Sequence, residues 1–334
     1  MRAEASNDVF KVWLYAAASV LLGAWLAPFF YNAGKALSEV TEAKRINSPV
    51  EWLAGICRTA DFPDFFTASL LIVAIVLFLP FAEWLRGGRT AGGGERSGLL
   101  RSRAGGQRLL KNQSGLRQIL SGFAWITVLF FLFAAVLLAA GVFSWKSPVD
   151  HPLRLLTHAL AVAFGMAVLQ EILFRGIAMG IFLRAMRPAA ALGLSAVLFA
   201  LVHFLIPPPG LHVLDPEASG VGFELLRKLI GRFSDPRAVF GAFTPLLALG
   251  VVLGYARWRT ASLCLPIGLH AGWIFANAVL GGVTLSTSRP DSLMWVLSGA
   301  TLDQGFVPLA GIVLAGILTN HLNLRSDDAA DPAA

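Results

Sequence analysis

Residues 119–142 read ILSGFAWITVLFFLFAAVLLAAGV, 24 consecutive residues without a charged side chain. A hydrocarbon core about 30 Å thick takes roughly 20 apolar residues to cross as a helix, so this stretch is long enough to span a bilayer. Within lipid, backbone polar groups are satisfied only in helices or closed barrels, and an uninterrupted apolar run selects the helix. Working outward, comparable runs lie near 10–31, 66–85, 156–182, 189–206, 239–256, 261–281 and 305–321. The chain is therefore expected to be all-α, a polytopic membrane helix bundle of about eight transmembrane helices. With 56% apolar and 14% charged residues over 334 positions, and a mean hydropathy of +0.68, the composition excludes an ordinary soluble enzyme. The run at 10–31 carries no cleavage-site pattern and is expected to be retained as a helix.

The basic residues fix the orientation. Residues 86–117 hold eight Lys or Arg against the single acid Glu95, with Gly and Ser throughout. Such a loop stays on the cytoplasmic side. Alternation then places Arg184, Arg187, Arg257 and Arg259 inside as well, and an even number of spans puts both termini in the cytoplasm, with 323–334 as a short disordered tail. The net charge of +7 thus follows the membrane, and no nucleic acid partner is implied. Cys57 and Cys264 fall on opposite sides, which excludes a disulfide between them. Between the fifth and sixth spans, Leu225, Leu226, Leu229, Ile230 and Phe233 share one helical face, opposite Glu224, Arg227, Lys228 and Arg232. That pattern suits an interfacial helix, either a substrate gate or a cover packed on the spans.

Ionisable groups inside spans are expensive and mark candidate functional sites. Glu171 and Arg175 lie four apart in Val168-Leu-Gln-Glu-Ile-Leu-Phe-Arg-Gly176, hence on one helix face and able to pair. His203 and His270 stand on otherwise apolar helices. From the rise per residue, Glu171 lies about 16 Å, His203 about 21 Å and His270 about 14 Å from the inner ends of their spans. Helices running in opposite directions thus bring a carboxylate, two imidazoles and a guanidinium to a common depth. These are the parts for hydrolysis: a base for water and donors for an oxyanion. One Glu and two His are also a recognised zinc set, which leaves a metal site of Glu171, His203 and His270 as the alternative, although the spacing is not that of a zinc-protease helix.

In order, spacing and context, residues 155–282 resemble the CAAX protease and bacteriocin-processing membrane peptidases, which include the type II prenyl-protein endopeptidases. Their motifs are Glu-Glu-x-x-x-Arg, Phe-x-x-x-His and His-x-x-x-Asn or Asp. The resemblance implies an eight-helix intramembrane protease of glutamate type, and no cofactor is expected unless zinc occupies the alternative site. It assigns Glu171 and Arg175 to the first motif, Phe199 and His203 to the second and His270 to the third. Gln170 stands where the family has its first glutamate and Ile274 where it has Asn or Asp. An amide cannot serve as a base, so Glu171 is expected to take that part. Asn277, two turns beyond His270, is the substitute for the missing Asn.

The chain is accordingly expected to comprise an N-terminal region of three spans (1–154), a catalytic core (155–282) and a last span with its tail (283–334). Its expected function is an endopeptidase of the cell's inner membrane, acting on membrane-anchored or lipid-modified polypeptides and surrounded by the lipid bilayer as partner. A non-catalytic protein of the same fold, in bacteriocin self-immunity or scaffolding, is the second reading. A proton-coupled transporter using Glu171 and His203 is the third.

Overall fold

The computed structural model describes residues 2–44, 49–90, 114–146, 151–208, 210–287 and 304–321. The elements in order are α1 (Arg2–Lys44), α2 (Pro49–Thr59), α3 (Phe62–Thr90), α4 (Gly115–Ala139) and β1 (Phe143–Trp145). They continue with α5 (Pro152–Ala185), α6 (Pro188–Phe204), α7 (Val221–Gly231), α8 (Pro236–Thr260), α9 (Cys264–Val283), β2 (Thr284–Ser286) and α10 (Phe306–His321). Six of these helices contain stretches long and apolar enough to cross a membrane: α1, α3, α4, α5, α8 and α9. The shorter apolar helices α6 and α10 coincide with the other two apolar runs. The polytopic all-α bundle is therefore observed. Most of the basic loop and the acidic tail lie outside the described residues.

Packing divides the chain into two units. The first contains α1, α2, α3 and α7, covering residues 1–94 and 202–235. Here α1 runs well past the expected end of the first span, because Ser38 and Thr41 satisfy their hydroxyls on carbonyls of their own helix while Lys35 reaches out to the carbonyls of Arg58 and Ala60. The segment from Val221 does form a helix, but its packing departs from the expected face. Leu225, Leu226 and Leu229 are buried with Ala24, Ala27, Phe62 and Phe66, whereas Ile230 and Phe233 are exposed. Gly222 lies directly against the Ala24 carbonyl, and that close approach is only possible without a side chain. Arg232 closes the unit by donating to the Phe204 carbonyl at 3.0 Å with its guanidinium over the Phe204 ring. Burial pulls the Arg232 pKa below its ordinary range, and Asp235 opposes that shift.

The second unit holds α4, α5, α6 as far as Leu201, α8, α9, α10 and the small antiparallel ribbon β1–β2, in which Phe143 faces Ser286 and Trp145 faces Thr284. The ribbon is an addition that the apolar pattern did not foretell. Helix α9 is its centre, with Leu265, Leu269, Trp273 and Ala276 joining the core that includes Ile126, Phe130, Phe199, Leu249, Leu253 and Ile312. Its seat on α4 depends on small residues, because without a hydrophobic driving force between helices in lipid, close backbone contact carries the association. A Cβ on Gly268 would run into the Ile119 carbonyl, one on Gly272 would lie 2.6 Å from the Phe123 oxygen, and one on Gly122 would lie 3.0 Å from the Leu265 oxygen. Gly268→Val is expected to separate α4 from α9 and lower stability by about 1–3 kcal/mol, the usual cost of overpacking. Thermal unfolding in detergent checks this, with Gly165→Val, whose Cβ meets nothing within 4 Å, as the comparison.

Candidate functional site

Helix α5 changes its winding at the residue that matters. It is α-helical from Pro152 to Glu171 and continues as a π-helical turn over Ile172–Ala178 before resuming as α-helix. Such turns occur chiefly as single insertions at functional sites, and the sequence carries no signal for this one. Glu171 ends the α-helical part completely buried, and Arg175, 1% exposed, sits within the π turn.

Two groups converge on one oxygen of Glu171. Arg175 Nη1 donates to Glu171 Oε1 at 2.9 Å, and His270 Nδ1 lies 2.7 Å from the same oxygen. With the carboxylate ionised, Nδ1 must be the protonated nitrogen of that imidazole. Glu171 Oε2 is buried yet accepts no hydrogen bond from any described residue. Arg175 Nη2 donates to the Gly250 carbonyl at 3.1 Å. The guanidinium stacks 4.3 Å from the centre of the Phe199 ring, and that ring stands edge-on to His270 at 5.5 Å and to Phe174 at 5.3 Å. Phe199 thus forms the apolar wall between cation and imidazole.

Of the residues singled out in the sequence, Glu171, Arg175, Phe199 and His270 come together in the second unit. His203 is half-buried one turn beyond Phe199, in the last turn of α6, and groups with the first unit. Gln170 is half-buried beside Glu171, and it is Glu171 whose carboxylate meets His270. Asn277 donates its amide to the Trp273 carbonyl of its own helix at 3.0 Å, so it does not take up the place of the missing Asn beside His270. Ile274 packs on the α9 core instead. Gly250 was missed, although its sequence signal existed: Gly250 and Gly254 form a Gly-x-x-x-Gly pair, the mark of helices in close contact. A Cβ at Gly250 would lie 2.9 Å from the Ala196 Cα. Only glycine lets α8 approach α6 this closely while presenting its carbonyl to Arg175. Among the described residues no group of three His, Cys, Asp or Glu is arranged to hold a metal ion.

Residues 152–276 match the family model described as type II CAAX prenyl endopeptidase Rce1-like. Over this segment the chain is similar to the CAAX proteases. The matched segment runs from the first turn of α5 into α9 and includes Glu171, Arg175, Phe199 and His270. No curated protein and no solved structure matches the chain.

Chemically, a carboxylate clamped through one oxygen by a guanidinium and an imidazole cannot rotate. Its second oxygen keeps a free lone pair with a fixed direction, the geometry a proton acceptor needs. The pair of Glu171 with His270 Nδ1 also fixes the imidazole's tautomer and orientation, as a carboxylate does for the histidine of hydrolytic triads.

Proposed function

We propose that the chain is an intramembrane endopeptidase of CAAX type that cleaves membrane-anchored or lipid-modified polypeptides, with Glu171 as its general base. The observation that carries this is the shared Oε1 of Glu171, held by Arg175 and His270 while Oε2 is left with no partner among the described residues. Glu171 accepts a proton from water at Oε2. As water adds to the peptide carbonyl and the C–N bond breaks, Glu171 returns that proton to the leaving amine, while His270 holds the carboxylate in place through Nδ1. Arg175 holds the carboxylate immobile through Oε1, which is positioning work rather than contact with substrate. The amide of Gln170 plays no part in moving protons.

Purified full-length protein in proteoliposomes, supplied with a membrane-anchored peptide library, tests this through the appearance of cleaved products by mass spectrometry. Gln170→Ala is expected to keep activity within about threefold of wild type, the scale of a lost neutral hydrogen bond rather than of lost acid–base catalysis. Loss of cleavage in Gln170→Ala as complete as in Glu171→Ala would overturn the assignment of the base.

A second reading rests on a specific feature, the complete burial of Glu171 and its partners. A sealed ion pair of this kind also serves to hold helices in register, which suits a non-catalytic protein of the same fold acting in bacteriocin self-immunity or as a scaffold. That reading requires the cellular phenotype to survive any Glu171 substitution that preserves folding.

A further inference from the structure

We propose that the cleft between α8 and α10 binds one acyl chain of an anionic phospholipid whose phosphate is held by Arg259. The cleft has a volume of about 610 Å³ and is lined by Thr244, Ala248, Val251 and Tyr255 of α8 and by Val313 and Ile317 of α10. It exists because the two helices meet at Gly316, where a Cβ would lie 3.0 Å from Val252. The larger side chains flanking that contact stand apart and leave a furrow. Val251, Val313 and Ile317 are exposed along it, a surface that in a bilayer faces hydrocarbon.

The dimensions and the charge both point to a lipid. From Thr244 to Tyr255, α8 rises about 16 Å, which matches the roughly 15 Å depth of one leaflet. Residues 251, 255 and 258 repeat on one helical face, as do 252 and 259, so the furrow continues toward Trp258 and Arg259 at the end assigned to the cytoplasmic side. Trp258 is half exposed and lies 6.0 Å from the Tyr255 ring, an aromatic pair of the kind that sits at headgroup level. The Nε atoms of Arg257 and Arg259 are both buried and donate to no described residue, and of the two it is Arg259 whose helical position continues the furrow. A buried guanidinium donor without an acceptor is costly, and a phosphate oxygen is the acceptor that both its charge and its planar fork fit. Arg257 lies about 200° away around the helix and faces away from the furrow.

The test is lipid retention by the full chain, purified from nanodiscs of mixed phosphatidylglycerol and phosphatidylcholine and read by native mass spectrometry. Wild type is expected to retain phosphatidylglycerol over phosphatidylcholine by about fivefold, the scale of one juxtamembrane arginine. Arg259→Gln abolishes that preference while lipid is still retained, Arg257→Gln leaves it unchanged, and Val313→Trp, which fills the furrow, reduces retention of both lipids. Equal loss of preference in Arg257→Gln and Arg259→Gln would show diffuse surface charge and overturn the site. Unchanged retention in Val313→Trp, or disulfide-linked dimers of Val313→Cys showing a second copy over the cleft, would overturn it equally.

Discussion

Glu171→Gln is expected to abolish proteolysis, lowering the rate by at least about 10²–10⁴-fold, the range that a positioned general base contributes. The substitution is close to isosteric. Its amide oxygen still accepts from Arg175 Nη1 and His270 Nδ1, which meet Glu171 Oε1 at 2.9 and 2.7 Å, so the helices are expected to stay in place. What disappears is the negative charge and the lone pair of Oε2, the oxygen that no described residue engages. In its position the amide presents an N–H₂ that donates and cannot take a proton. The measurement is cleavage in proteoliposomes together with circular dichroism in the same detergent. A folded Glu171→Gln protein that still cleaves would remove Glu171 as the base. One whose cellular phenotype is intact while no cleavage is found in either protein would favour the non-catalytic reading.

The site was half legible from the sequence, for a physical reason. Burying a charge in a bilayer costs enough that Glu171, Arg175 and His270 stood out against their apolar neighbours, and the regular rise of a helix converted their positions into a common depth. Depth arithmetic does not give rotation about the helix axis. Gln170 and Glu171 differ by about 100°, and only the packed structure shows the second of them against His270. The π turn at Ile172–Ala178 was invisible because winding within an apolar helix depends on packing, not on side-chain polarity. The Gly250 carbonyl escaped because every residue has one, and what makes this one special is the absence of a side chain against Ala196. The amphipathic face of α7 was drawn too wide at Ile230 for a related reason. Period-based reading selects apolar residues, whereas packing against Ala24 and Phe66 used only those on the Leu225 and Leu229 side.

The balance between catalysis and structural support is resolved by removing the ion pair in two ways. Arg175→Met leaves the Glu171 carboxylate buried with only His270 beside it, and taking one partner from a buried pair costs about 3–5 kcal/mol. The Gly250 carbonyl loses its donor as well, since Arg175 Nη2 reaches it at 3.1 Å. Adding Glu171→Leu removes the uncompensated charge, and replacement of a complete buried pair by apolar side chains is often neutral. The double variant Glu171→Leu/Arg175→Met is therefore expected to unfold well above Arg175→Met, short of wild type by about 1–3 kcal/mol for the orphaned Gly250 carbonyl and His270 nitrogen. Stability and activity then part company. If Glu171 serves hydrolysis, the recovered double variant cleaves no substrate, because no carboxylate remains to accept the proton. If Glu171 serves only to hold α5 against α9, restored stability brings restored phenotype. Unfolding midpoints and processing assays on wild type, Glu171→Leu, Arg175→Met and the double variant separate the two, since non-additivity between residues in direct contact is itself measurable in such a cycle. The reason the contrast is sharp lies in the shared oxygen: both structural partners of Glu171 bind Oε1, so the structural role can be replaced by packing while the role of Oε2 cannot.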